Sequence, residues 1–91
     1  MAVKIVIPTP LRQFTDKQDC IEISAGTVGE ALAGVVVRYS DLRRHLFTDE
    51  GKLRSFVNVY VNDEDIRYLK NDQTSLKEND VVSIVPSIAG G

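Results

Sequence analysis

The chain has one cysteine, Cys20, and one histidine, His45, among its 91 residues. A single thiol excludes an internal disulfide, a zinc site built from several thiolates and a cysteine-ligated iron–sulfur cluster. Cys20 has Asp19 and Glu22 nearby instead of a cation, which marks it as a structural thiol and not a nucleophile. His45 lacks the carboxylate and nucleophile that would complete a catalytic constellation. Catalysis by this chain alone is not expected. Charge of one sign is lacking too: 11 Lys and Arg against 13 Asp and Glu give −2, with no basic stripe of the kind that selects phosphate backbones, so nucleic acid is not an expected partner. Long apolar runs are missing as well. The run at Met1 to Ile7 is too short, and too soon broken by Pro8, for a signal peptide, and no window approaches a membrane span. The expectation is a cytoplasmic protein with no membrane partner.

What is present is an ordinary globular composition, 43% hydrophobic and 26% charged. At this length roughly 60–65% of the unfolded chain's surface can be buried, enough for one small core and one domain. Val3, Ile5 and Ile7 alternate with Lys4 and Val6, the period of a strand with one buried face. Pro8-Thr9-Pro10 ends it. Asp16-Lys17-Gln18-Asp19 turns the chain into a second strand, Cys20 to Ser24, which pairs with the first as a long-looped hairpin. Thr27-Val28-Gly29-Glu30 has the spacing in which two side chains satisfy the first amides of a helix. Val28, Ala31, Leu32, Val35, Val36 and Tyr39 then form one apolar stripe. Gly34 lies within it, where close approach of helix to sheet accounts for a missing side chain.

Ser40 to Arg54 reads as a covered connection anchored by Leu42, Leu46, Phe47 and Leu53, with Arg43-Arg44-His45 as a solvated loop. Phe56 to Val61 alternates again. Asn62-Asp63-Glu64-Asp65 turns it back into Ile66-Arg67-Tyr68, and the stretch lacks the ligand spacing and glycine of a calcium loop, so no metal is expected there. Asn79 is suited to a left-handed turn before the last strand, Val81 to Val85. The simplest assembly is α+β: a mixed sheet of four or five strands packed on one main helix, over residues 1–86. Pro86 has no amide for the ladder, so residues 87–91 are expected to leave the sheet as a tail reaching roughly 17 Å at full extension. Glycine's lack of a Cβ makes Gly90-Gly91 slim enough for a narrow channel.

The layout, together with Leu76-Lys77-Glu78-Asn79-Asp80-Val81-Val82-Ser83-Ile84-Val85-Pro86-Ser87-Ile88-Ala89-Gly90-Gly91, resembles the ubiquitin-like sulfur-carrier family of the β-grasp fold, the group that contains the small subunit of molybdopterin synthase and the thiamine-pathway carrier. The stretch Gly51 to Arg67 is similar to the actinobacterial branch that serves cysteine biosynthesis. The family often has glycine where Asn79 stands, and asparagine tolerates the same backbone region. The resemblance implies that Gly91, approached through Gly90, is the reacting residue. It implies that its carboxylate is adenylated with ATP and converted to a thiocarboxylate, a sulfur nucleophile that needs no local base. The implied partners are an adenylating sulfurtransferase similar to MoeB and ThiF, a pyridoxal-phosphate-dependent cysteine synthase and a metalloprotease that releases the product. ATP belongs to the activating enzyme, and no cofactor is expected on this chain.

A partner must also grip the body of the carrier. If Val57, Val59, Val61, Val82 and Ile84 face the helix, then Val6, Phe56, Tyr60, Val81 and Val85 share the opposite face, a candidate partner surface beside Ser87, Ile88 and Ala89. A competing reading has the Ser40 to Leu53 connection folded over part of that face. Two other functions stay open: a ubiquitin-like modifier joined to lysines through Gly91, and an interaction domain whose tail is never activated. Molybdopterin synthesis, as its synthase's small subunit, thiamine synthesis and tRNA thiolation are the alternative destinations for the sulfur.

Overall fold

A computed structural model describes residues 2–86. Five strands form one sheet: β1 (Ala2–Val6), β2 (Cys20–Ser24), β3 (Val57–Val61), β4 (Glu64–Asp65) and β5 (Val81–Pro86). Their spatial order is β2-β1-β5-β3-β4. β1 and β2 pair antiparallel, β5 runs parallel to β1 and antiparallel to β3, and β3 turns back into β4. The last strand in sequence is therefore the middle strand in space. The main helix, α1 (Val28–Arg38), crosses one face, and a single helical turn, α2 (Arg43–Leu46), lies in the connection after it.

Each element follows from local chemistry. Val3 and Ile5 of β1, Ile21 and Ile23 of β2, Val57, Val59 and Val61 of β3, and Val82 and Ile84 of β5 are all buried against Val28, Ala31, Leu32, Val35 and Val36 of α1. A fully buried aliphatic side chain of this kind contributes about 1.5–3 kcal/mol by leaving water. Thr27 caps α1, its Oγ1 accepting from the Glu30 amide at 3.2 Å. The reciprocal bond is displaced by one residue: Glu30 Oε1 accepts from the Gly26 amide at 2.7 Å. The Leu76 amide donates to the Gly26 carbonyl, and the Val28 amide to that of Thr74, which ties the start of α1 to the segment before β5.

Three features depart from the sequence expectation. The return strand is only Glu64–Asp65; Ile66–Tyr68 is a short 3-10 helix. Asp65 starts that helix because its Oδ1 accepts from the Arg67 amide at 2.9 Å, and Ile66 turns into the core. The loop after β1 contains a 3-10 helix, Thr9–Phe14, that buries Leu11 and leads into the buried Thr15, whose hydroxyl bonds the carbonyls of Arg12 and Gln18. Arg43-Arg44-His45 is a helical turn and not a loop, with His45 stacked on Phe14 at 4.4 Å between ring centroids.

The turn chemistry holds at both ends of β5's approach. Asn62 and Asp63 have φ of 49° and 75°, the two positive values of a two-residue hairpin, and Asn79 has φ of 69°. Asn62 also binds the neighbouring strand, with Nδ2 donating to Asp80 Oδ1 at 2.9 Å and Oδ1 accepting from the Val81 amide at 3.0 Å. The Lys77 amide donates to Asp80 Oδ2 at 2.8 Å. The Asn62 bond, then the Lys77 amide, hold the Asp80 carboxyl below its ordinary pKa.

Two stability measurements check this account. An ideal Cβ on Gly34 would sit 3.0 Å from Ile23 Cγ2, so Gly34→Val is expected to cost about 2–3 kcal/mol by overpacking, read from urea unfolding. A variant as stable as the parent would refute the close-approach account. Asn62→Ala loses two hydrogen bonds and places alanine at positive φ, for a loss of about 2 kcal/mol. Because Asp80's folded pKa is depressed, its contribution is present above the unfolded carboxylate value of about 3.9 and is lost as pH falls toward the folded value. Side-chain NMR titration of Asp80 should therefore show a higher pKa in Asn62→Ala.

Candidate functional site

The alternation of β1, β3 and β5 produces two faces from one sequence pattern. With the buried set turned toward α1, the opposite face carries Lys4 and Val6 from β1, Asn58 and Tyr60 from β3, and Val81, Ser83 and Val85 from β5. Register places them in rows: Val6 lies opposite Ser83 and Ser83 opposite Tyr60, while Lys4 lies opposite Val81 and Asn58 opposite Val85. Val6, Tyr60 and Val81 are half-buried, Val85 is 44% exposed and Phe56, just before β3, is 42% exposed. The surface is thus a diagonal apolar band interleaved with Ser83 and Asn58 rather than a continuous patch.

The competing cover does not form. Leu42 and Leu46 are fully buried in the common core, with Phe47 and Leu53 packed against it, so the connection packs beside α1. A groove of about 1090 Å³ opens there, between Leu32 and Val36 of α1 and Arg43, Arg44, Phe47 and Leu53.

The band has polar margins. On the β4 side Arg67 makes a two-pronged bond to Asp65, with Nη2 to Oδ2 at 2.7 Å and Nε to Oδ1 at 3.1 Å, and Nη2 also donates to Asn58 Oδ1 at 2.8 Å. The Arg67 hydrogen bonds hold the Asp65 carboxyl below the usual range. On the β2 side Cys20 is exposed, opposite Val6. Among the described residues no three His, Cys, Asp or Glu side chains come together as a metal site would require. Among the described residues His45 Nε2 is buried without a hydrogen-bond partner, its ring stacked on Phe14.

Ser87, Ile88, Ala89, Gly90 and Gly91 lie outside the described residues. What is described is the place from which they start. β5 runs between β1 and β3 until Pro86, which lies opposite Val57. Two arginines that the sequence left unmarked belong to the segments that flank this point, one after β1 and one before β3. Arg12 Nε donates to the carbonyl of Ile7, the residue after β1, at 3.0 Å. Arg54 Nε donates to the Arg44 carbonyl at 2.7 Å, and the Arg54 carbonyl accepts from Val57. Neither has a sequence signal, because each is defined by a carbonyl that folding brings to it.

Among the described residues no helix is long and apolar enough to cross a membrane. The profile of the ThiS family matches residues 5–91. The sulfur carrier protein CysO of Mycobacterium tuberculosis is 39% identical over the whole length of both chains. A putative sulfur carrier protein of Archaeoglobus fulgidus is 31% identical, again over the whole of both. The crystal structure of the Amycolatopsis orientalis BexX/CysO complex contains a chain that superposes with a TM-score of 0.89 at 39% identity, covering 99% of this chain and 100% of that one. A β-grasp sheet in this strand order, full-length identity to sulfur carriers and the matched profile together establish that the chain belongs to the ThiS family of ubiquitin-like proteins.

Proposed function

We propose that this chain is a sulfur carrier whose reacting atoms are those of the Gly91 carboxyl group, and that its sulfur goes to cysteine synthesis. The observation that carries the reading is the full-length 39% identity to CysO on a fold whose central strand leads straight into residues 87–91. A carboxylate is a poor electrophile until one oxygen becomes a good leaving group. Attack of the Gly91 carboxylate on the α-phosphorus of ATP, on an activating enzyme, forms the acyl-adenylate and releases pyrophosphate. A hydrosulfide equivalent then attacks the acyl carbon, AMP departs, and a thiocarboxylate remains. That group is an anionic nucleophile at neutral pH, so this chain needs no base of its own. A pyridoxal-phosphate-dependent synthase would join the thiocarboxylate sulfur to the β-carbon of an activated serine as its activating group leaves. The acyl group would pass from the new sulfur to the cysteine amine, and a metalloprotease would hydrolyse that amide with water, releasing cysteine and restoring the Gly91 carboxylate.

Division of labour follows from size. Five residues of which only Ile88 carries a large side chain offer few contacts, so recognition falls to the body, and the band of Val6, Phe56, Tyr60, Val81 and Val85 is the surface suited to it. The solved CysO neighbour is in complex with BexX, which supports a chain of this family being held by a partner protein.

Intact mass spectrometry of the protein from its native host tests the reading. The expected species has sulfur in place of one oxygen at Gly91; a tail unaltered in every growth condition, or a natural chain that continues past Gly91, would sink it. Ladders of heavier adducts would instead indicate a modifier. Removal of Gly91 is expected to abolish loading with the melting temperature nearly unchanged. Val85→Asp should raise KM for the activating enzyme roughly tenfold or more while leaving kcat, since a charge in a desolvated apolar contact costs binding and not chemistry. Unchanged KM would remove the band from the interface.

A further inference from the structure

We propose that Arg12 and Arg54 form a pair of basic contacts astride the end of β5 that dock against carboxylates at the rim of the activating enzyme's tail channel. The inference rests on the carrier reading above and names the chemistry of the partner surface that reading requires.

The two side chains share an unusual state. Each arginine spends its Nε on a backbone carbonyl, Arg12 on Ile7 at 3.0 Å and Arg54 on Arg44 at 2.7 Å. Neither terminal Nη group makes a hydrogen bond among the described residues, and the single ion pair there is Asp65 with Arg67. Loop carboxylates such as Asp16, Asp19, Asp41 and Asp49 belong to the same part of the chain, yet none lies within ion-pair distance of either arginine. Anchoring at Nε removes much of the rotational freedom that an exposed arginine would lose on binding. Among the described residues the charged fork is left unneutralised, the state that suits two-pronged contact with a carboxylate.

Position gives the pair its meaning. Ile7 directly follows β1, whose Val6 lies opposite Ser83. Arg54 lies three residues before Val57, which lies opposite Pro86. Since β5 sits between β1 and β3, the two arginines flank the central strand at the end from which residue 87 departs. Residues 87–91 span roughly 17 Å when extended, so arginines at their root cannot reach the nucleotide where Gly91 reacts. What they meet is the protein surface around the channel mouth, and its matching chemistry is Asp and Glu. Opposite charges there would steer the carrier in tail first and raise the rate of productive encounter.

The test uses the full-length carrier as varied substrate of the ATP-dependent activating enzyme from the same organism, following pyrophosphate release at low and high salt. Arg12→Glu/Arg54→Glu is expected to lower kcat/KM roughly tenfold to a hundredfold at low salt, with kcat retained and with the parent's salt dependence lost. Arg12→Lys/Arg54→Lys, which keeps charge but not the fork, should fall between. Should the glutamate pair melt at a lower temperature than the parent, Arg12→Gln/Arg54→Gln gives the same comparison without added repulsion. Lys70→Glu/Lys77→Glu makes an identical change in net charge away from the β5 exit and should behave as the parent. Equal kcat/KM in parent and arginine variants, an equal loss in the lysine control, or a loss confined to kcat would each overturn the contact while leaving the carrier reading intact. A parent chain that is never adenylated would overturn both.

Discussion

The whole arrangement depends on β5 being bonded on both sides. Its parallel ladder with β1 and antiparallel ladder with β3 make it the one strand whose loss would divide the sheet into two hairpins. Val82 and Ile84 fix its inward face in the core, and the Asn62 and Asp80 side chains fix its start by bonding turn to turn. Register along β5 is therefore set by packing and by side-chain hydrogen bonds together. A slip of one residue would reverse which side chains meet α1. In the reading proposed above, the reacting residues follow directly in sequence on the strand bonded on both sides.

That constraint separates two requirements that conflict in most binding proteins. The surface for recognition must be rigid, and a segment inserted in a channel must be slim and undemanding. Here the first falls to side chains on strands whose alternate residues are locked in the core. The second is left to Gly90-Gly91, in the reading proposed above. On that reading the chemistry needs no catalytic residue from this chain, neither its one cysteine nor its one histidine. Cys20 is an exposed strand residue, and His45 stacks on Phe14 with its Nε2 buried.

Most of the fold was legible in the sequence because it is written in alternation and in caps. The two-residue period of β1, β2, β3 and β5, the Thr27 cap and the Gly34 contact with Ile23 all reappear in three dimensions. What was misjudged are short elements decided by a single bond. Ile66-Arg67-Tyr68 has an apolar and aromatic composition suited to a strand, but the Asp65 carboxylate captures the Arg67 amide and turns the chain into a 3-10 helix. Thr9–Phe14 begins between two prolines, which suggests irregular chain; burial of Leu11 and the hydrogen-bond contacts of the Thr15 hydroxyl with the Arg12 and Gln18 carbonyls make it ordered. Local propensity is a weak prior, and one tertiary contact outweighs it in segments of three to six residues.

The candidate surface was legible in a different degree. Val6 and Tyr60 follow from parity alone, since a residue whose two neighbours are buried must point the other way, and Val81 and Val85 follow from the alternation set by the buried Val82 and Ile84. Parity says nothing of what covers a face, and only the packing of Leu42 and Leu46 beside α1 removes the Ser40 to Leu53 connection from consideration. Nor does it reveal polar interleaving. Ser83 and Asn58 break the apolar band where they meet Tyr60 and Val85 across the ladders, and Arg67 closes one margin by joining Asn58 to Asp65. A band so divided buries less apolar area than a continuous patch would, so hydrophobic contact alone gives a partner limited purchase. Charged contacts at its margins then weigh more in choosing the partner and its orientation than they would on a broad greasy face.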